Sequence, residues 1–159
     1  MRLEKRFSSQ NLQHVDHGAT KRNVSEYFIH LENLKWQQVK LNAQKGLKSS
    51  KFDIVNMYKR QAYTPIGKDI FNITKRELLE DELKQHLVGF EWARSILSDE
   101  EQIYIMEYFI HHKYEDEIID LLGFNSTDSL EFKRIKRSAV YKFADFLNLV
   151  VEKKKQGRK

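Results

Sequence analysis

The chain has no cysteine, a single proline, Pro65, and six glycines among 159 residues. The lack of thiols excludes disulfide staples, thiolate metal sites and cysteine nucleophiles, and it agrees with a reducing compartment. So few breakers make long helices the default expectation. No apolar run approaches the roughly 20 residues that span a bilayer, and the first residues carry no apolar signal core. Glycine-rich phosphate loops and nucleophile elbows are missing as well. These absences lead us to expect a cytoplasmic, non-enzymatic protein with no cofactor and no membrane contact. Hydrophobic residues make up 40% and aromatics 12%, which is enough apolar side chain for a packed core rather than a disordered polar chain.

The net charge of +5 conceals a strong segregation. Residues 1–65 carry 12 basic and 5 acidic groups, residues 66–130 carry 6 and 15, and residues 131–159 carry 10 and 3. Positive charge at the two ends of a chain with an acidic middle points to phosphate binding by counterion release.

Residues 1–22 are basic and aperiodic and read as a flexible arm. Residues 23–73 read as an N-terminal helical region and linker. Asn23 and Glu26 have the spacing of a capping box, and Tyr27, Phe28, Leu31, Leu34 and Val39 follow at roughly helical intervals up to about Gln44, before Gly46. Within 46–73, Phe52–Tyr58 fits a short helix, and Phe52-Asp53-Ile54-Val55 fits a short extended piece equally well. Residues 74–152 read as a C-terminal domain. Thr74 with Glu77 and Ser98 with Glu101 form further capping boxes, and Leu79, Leu83, Leu87, Phe90, Ala93 and Leu97 lie 3 or 4 apart. His111, His112 and Lys113 fall in the last turn of the helix that Ser98 opens. The final helix carries the stripe Phe132, Ile135, Ala139, Phe143, Phe146 and Val150, and residues 153–159 read as a disordered basic tail. The fold class is all-α, a helical bundle. Trp36 and Trp92 are expected in a core or an interface.

Residues 115–147 have the order of a helix-turn-helix. Glu115–Leu122 forms a short acidic amphipathic helix that ends at Gly123, and a polar turn leads into a long basic helix. The second N-cap is open among Asn125, Ser126 and Thr127. The apolar stripe turns most of the basic residues toward solvent. Ser126, Thr127, Ser129, Lys133, Arg134, Lys136 and Arg137 are the expected DNA-binding residues: the arginines for guanine or phosphate, the lysines for phosphate. Glu131 suits either a cytosine amine or an ion pair with Arg134.

Residues 98–147 resemble the C-terminal region of the ArpU-type phage transcriptional regulators, which are related in pattern to RinA-type activators and to region four of sigma factors. The resemblance rests on Tyr108-Phe109-Ile110, on Ile119-Asp120-Leu121-Leu122-Gly123, on Ser126-Thr127, and on Ala139-Val140-Tyr141-Lys142-Phe143-Ala144. It implies a sigma-region-four-like helix-turn-helix in a phage- or prophage-encoded regulator of late packaging and lysis genes, acting in a bacterial host. The expected partners are double-stranded DNA, RNA polymerase and a second copy of the chain. The competing readings are a small terminase subunit, which would assemble as a ring, and a helical protein–protein adaptor.

A metal site is not expected. His111 and His112 are adjacent and point about 100° apart on a helix, and the pair of histidines four apart around a glutamate is missing. His14 and His17 lie three apart in the basic arm, away from any expected helix.

Overall fold

The computed structural model describes the backbone of residues 12–49 and 66–153 and the side chains of 12–43 and 75–153. Its helices are α1 His17–Ser49, α2 Ile66–Ser95, α3 Asp99–Ile105, α4 Glu115–Leu122 and α5 Leu130–Phe146. A π-helical turn, Met106–Ile110, continues α3. Among the described residues the only β pairing is an isolated antiparallel bridge between Val15 and Glu152, so the all-α expectation holds. None of the described helices is long and apolar enough to cross a membrane.

The chain divides into two compact units, and the division falls inside α1 and α2. One unit combines the chain up to Phe28 with Gly89 onward, and the other is Ile29–Val88. The expected boundaries therefore shift, because the first turns of α1 belong with the C-terminal helices. The core of that unit gathers Val24 and Phe28, Phe90 and Ala93, Tyr104 and Phe109, Ile118 and Ile119, and Phe132, Ala139 and Phe143. Phe28 lies at its centre, stacked on Phe109 and on Phe143 at 5.3 Å and edge-on to Phe90 at 5.9 Å. Among the described residues, the Ile29–Val88 unit buries Leu31, Leu34, Leu79 and Leu83 in a core, with Leu41 and Leu87 packed beside them.

Several expected boundaries move. The segment before Asn23 is not an arm over its described length. Leu12 and Val15 are buried, and α1 begins at His17, where the Asp16 carboxylate accepts from the Ala19 N–H at 3.0 Å. The reason lies at the other end of the chain. Val151 donates to the Thr20 hydroxyl, Asp16 N–H donates to the Val151 carbonyl, and the Asn23 amide donates to the Leu149 carbonyl. Asn23 is thus not a cap but a long-range clamp. Residues 1–11, the segment Phe52–Tyr58 and the tail 154–159 lie outside the described residues. The helix α1 runs through Gly46 to Ser49, and α2 starts at Ile66, so Thr74 stands inside it rather than at its cap.

The Ser98–Glu101 capping box forms as expected: Glu101 N–H donates to the Ser98 hydroxyl and Ser98 N–H to the Glu101 carboxylate. His111 and His112 lie just past the π turn, His112 in the left-handed region at φ 54°. The stripe of α5 continues through Val140 and Ala144 instead of Phe146, which is 44% exposed, and Val150 lies beyond the helix. Asn148, at φ 56°, turns the chain away there. Trp36 and Trp92, at 60% and 62% exposure, are not core residues.

Candidate nucleic-acid interface

The helix α4 is held at both ends. Glu117 accepts from the Tyr114 N–H at 2.9 Å, and three carboxylates occupy the first turn, where the helix dipole favours negative charge. At the other end Gly123 sits at φ 76°. Its N–H donates to the Asp120 carbonyl, while the Phe124 N–H reaches back to Ile119 at 3.0 Å. This bond pair is a Schellman motif. The apolar residue after the glycine, Phe124, packs onward against α5, its ring 6.1 Å from that of Phe132.

The second helix starts later than expected. Its N-cap is Ser129, so Asn125, Ser126 and Thr127 all lie in the turn. The physical reason is a local competitor for the backbone. The Ser126 hydroxyl accepts from the Asp128 N–H at 3.1 Å, and the Ser126 carbonyl accepts from the Ser129 N–H. Leu130, at 85% exposure, provides no apolar contact that would pull the start forward. The Ser129 hydroxyl makes no cap hydrogen bond, so it leaves the first-turn N–H groups of α5 untaken.

The five cations of α5 divide by residue type. Lys142 is folded inward and donates to both Glu101 oxygens at 2.9 Å, where Ser138 also donates at 2.6 Å. Burial alone would raise the Glu101 carboxyl, but Ser138, Lys142 and the Ser98 N–H outweigh it and hold its pKa below the usual value. Lys136 donates to Glu115 at 2.9 Å, and Lys21 approaches the same carboxylate at 3.5 Å while lying 4.0 Å above the Tyr108 ring. Glu115 is likewise kept low: partial burial pushes its pKa up, and Lys136, Lys21 and the Tyr104 hydroxyl push it further down. Lys133 pairs at the surface with Asp128 at 2.8 Å.

Arg134 and Arg137 are exposed, and neither has a carboxylate partner among the described residues. They are three apart, hence neighbours on one side of the helix, and Glu131 precedes them by one more step of three without an ion pair to Arg134. Sequence reasoning missed what surrounds Arg137. His17 and Lys153 lie close enough that the imidazole titrates below its ordinary value. Partial burial is the main cause, and the charges of Arg137 and Lys153 add to it. Lys153 N–H donates to the His14 carbonyl, which fixes the start of the basic tail against the start of α1. The charge excess of the last block was the only sequence trace of this cluster.

The structure thus brings Ser126, Thr127 and Ser129 to the turn, and Lys133, Arg134 and Arg137 to the outer side of α5, whereas Lys136 is turned toward α4. The exposed guanidinium groups of Arg134 and Arg137 can each bind phosphate oxygens or a guanine edge bidentately. No protein-family model, curated protein or solved structure matches the chain.

Proposed function

We propose that the chain is a sequence-specific double-stranded DNA-binding transcriptional regulator of the ArpU type, phage- or prophage-encoded, and that α4 and α5 are its helix-turn-helix. The observation that carries this reading is the contrast along α5. Among the described residues its three lysines are matched by carboxylates, and its two arginines are not. A merely solvated basic face gives no reason for that division. A DNA-reading helix needs fixed, unmatched guanidinium groups facing outward. In this reading Arg134 reads a base edge, Arg137 with Lys153 grips phosphate, and the exposed Leu130 meets a thymine methyl. The Gly123–Ser129 turn, with Ser126, Thr127 and Ser129, lies against the sugar-phosphate backbone. RNA polymerase and a second copy of the chain are the further partners of this reading.

Selection of bound duplexes from a random library, followed by a salt titration on the winner, tests it. The expected outcome is a defined motif whose affinity falls steeply with salt and exceeds that for scrambled duplex. Binding with no sequence preference, or none at low salt, removes the regulator reading.

A further inference from the structure

We propose that His30, Glu82 and His86 bind a late first-row divalent cation, with Zn2+ as the representative ion, and that the ion clamps α1 to α2 in the Ile29–Val88 unit. One ligand atom from each of the three residues lies within 4.8 Å of the other two. His30 Nε2 is 3.1 Å from Glu82 Oε1, and the imidazoles of His30 and His86 are 5.0 Å apart between centroids, edge to face at 73°. Zn–N and Zn–O bonds of about 2.0–2.1 Å at a tetrahedral angle place neighbouring donor atoms about 3.3 Å apart. The His30–Glu82 pair already has that spacing, and a rotamer adjustment of His86 closes the set.

The placement follows from the fold. Glu82 and His86 are four apart on α2 and share one face, which is the helical spacing for two ligands to one ion. His30 comes from α1. Each side of the site borders the leucine core: Leu31 follows His30, and Leu83 follows Glu82. Packing of those leucines sets the separation of the two helices. Two imidazoles and one carboxylate suit Zn2+, Ni2+ or Cu2+ and disfavour Mg2+ and Ca2+, which need oxygen donors. His30 and His86 are solvent-accessible, so water completes the coordination shell. The role is structural. The ion gives the unit a cross-link between α1 and α2, and binding to the folded state alone stabilises it by mass action. This inference is independent of the DNA-binding reading.

The test is calorimetric titration of the full chain, freed of metal with a chelator, together with thermal melting. The expected result is binding of a single Zn2+ with a rise in Tm, and no response to Mg2+. H30Q and H86Q each weaken Zn2+ binding by at least about tenfold, while the double variant H111Q/H112Q leaves it unchanged. If H30Q or H86Q fails to fold, substoichiometric Cu2+ added to the unmodified protein decides. It must broaden the His30 and His86 imidazole resonances before those of the other histidines. Absence of Zn2+ binding, binding that survives H30Q and H86Q, or first broadening at other histidines overturns the proposal.

Discussion

Lys142 places its ammonium 2.9 Å from both carboxylate oxygens of Glu101, where α3 packs against α5. Glu101 is also the residue whose carboxylate accepts from the Ser98 N–H in the capping box of α3. One buried acid therefore ends the backbone of one helix and anchors the side of another. In α4 the two tasks are split: Glu117 accepts from the Tyr114 N–H at the helix start, and Glu115 accepts from Lys136 and the Tyr104 hydroxyl. Both lysines lie in a segment whose charge invites assignment to DNA, and both are occupied within the fold.

Removing one member of the Glu101 pair should be costly, because it strands the other. Lys142→Ala is expected to destabilise the chain by about 3 kcal/mol, and a urea denaturation series reads this directly. Lys142→Ala combined with Glu101→Gln should cost less than the sum of the two single changes. Strict additivity would show that the two groups do not interact in solution.

The same carboxylates set an acid limit. Both Glu101 and Glu115 have pKa values below the ordinary glutamate value in the folded chain. Above the unfolded pKa of about 4.3 their contribution is fully present. As pH falls through that value toward the depressed folded ones, the unfolded chain binds protons first and stability is lost. Urea midpoints measured from pH 7 down to pH 3 should fall, and Glu101→Gln should flatten the decline. An unchanged slope in that variant would assign the acid sensitivity elsewhere.

The lysines and arginines of α5 should separate in two assays. Lys136→Ala removes the main partner of Glu115 and is expected to lower Tm. Arg134→Ala and Arg137→Ala leave no buried group unpaired, so stability should stay within about 0.5 kcal/mol. In DNA binding the order reverses. Arg134→Ala should cost about 1–3 kcal/mol and relax preference at one base pair, and Arg137→Ala should weaken all sequences alike and reduce the salt slope by about 1. Arginine variants that melt early and bind normally would contradict the assignment.

What the sequence made legible was local. The Ser98–Glu101 box, the glycine stop at Gly123 and the apolar face through Phe132, Ile135, Ala139 and Phe143 all follow from spacings of three or four residues, and all appear in the structure. What was not legible depended on contacts between different elements, 21 to 126 positions apart in the chain. Asn23 has the spacing of an N-cap, yet its amide is spent on Leu149, and that tie lets α1 begin six residues earlier. Likewise, a basic residue at helical spacing does not reveal whether a carboxylate waits on the next helix. Lys136 and Arg137 are adjacent in sequence and opposite in role because only Lys136 faces Glu115. His30 and Glu82 are 52 positions apart, and only the pairing of the helices brings them together.

His17 reports on the cluster around Arg137. Its pKa is lowered by partial burial and by the charges of Arg137 and Lys153. Between the unfolded value of about 6.5 and the lower folded one, the unfolded chain holds more protons, so this group makes stability fall as pH drops. Arg137→Ala should raise the His17 pKa, and so should an oligonucleotide phosphate bound at that cluster. An imidazole titration followed by NMR, with and without duplex DNA, measures both. A His17 pKa indifferent to DNA would place the bound phosphates away from Arg137.

Gly123 offers the sharpest test of the turn. At φ 76° its backbone is in the left-handed region, yet a Cβ built there meets nothing within 4 Å. The cost of a side chain is therefore backbone strain alone, without any clash. Left-handed geometry costs an alanine roughly 1–2 kcal/mol, and the stiffer unfolded chain returns part of it. Gly123→Ala should thus destabilise by about 1 kcal/mol, and Gly123→Asn by less, because asparagine tolerates this conformation better. The turn also sets the direction in which α5 leaves α4. If the alanine variant relieves its strain by unwinding the Phe124–Ile119 bond, Arg134 is re-aimed, and DNA affinity should fall by more than the loss of stability explains. Equal stability of Gly123→Ala and the unmodified chain in urea would mean that the left-handed stop is not held in solution, and the placement of Arg134 would lose its basis.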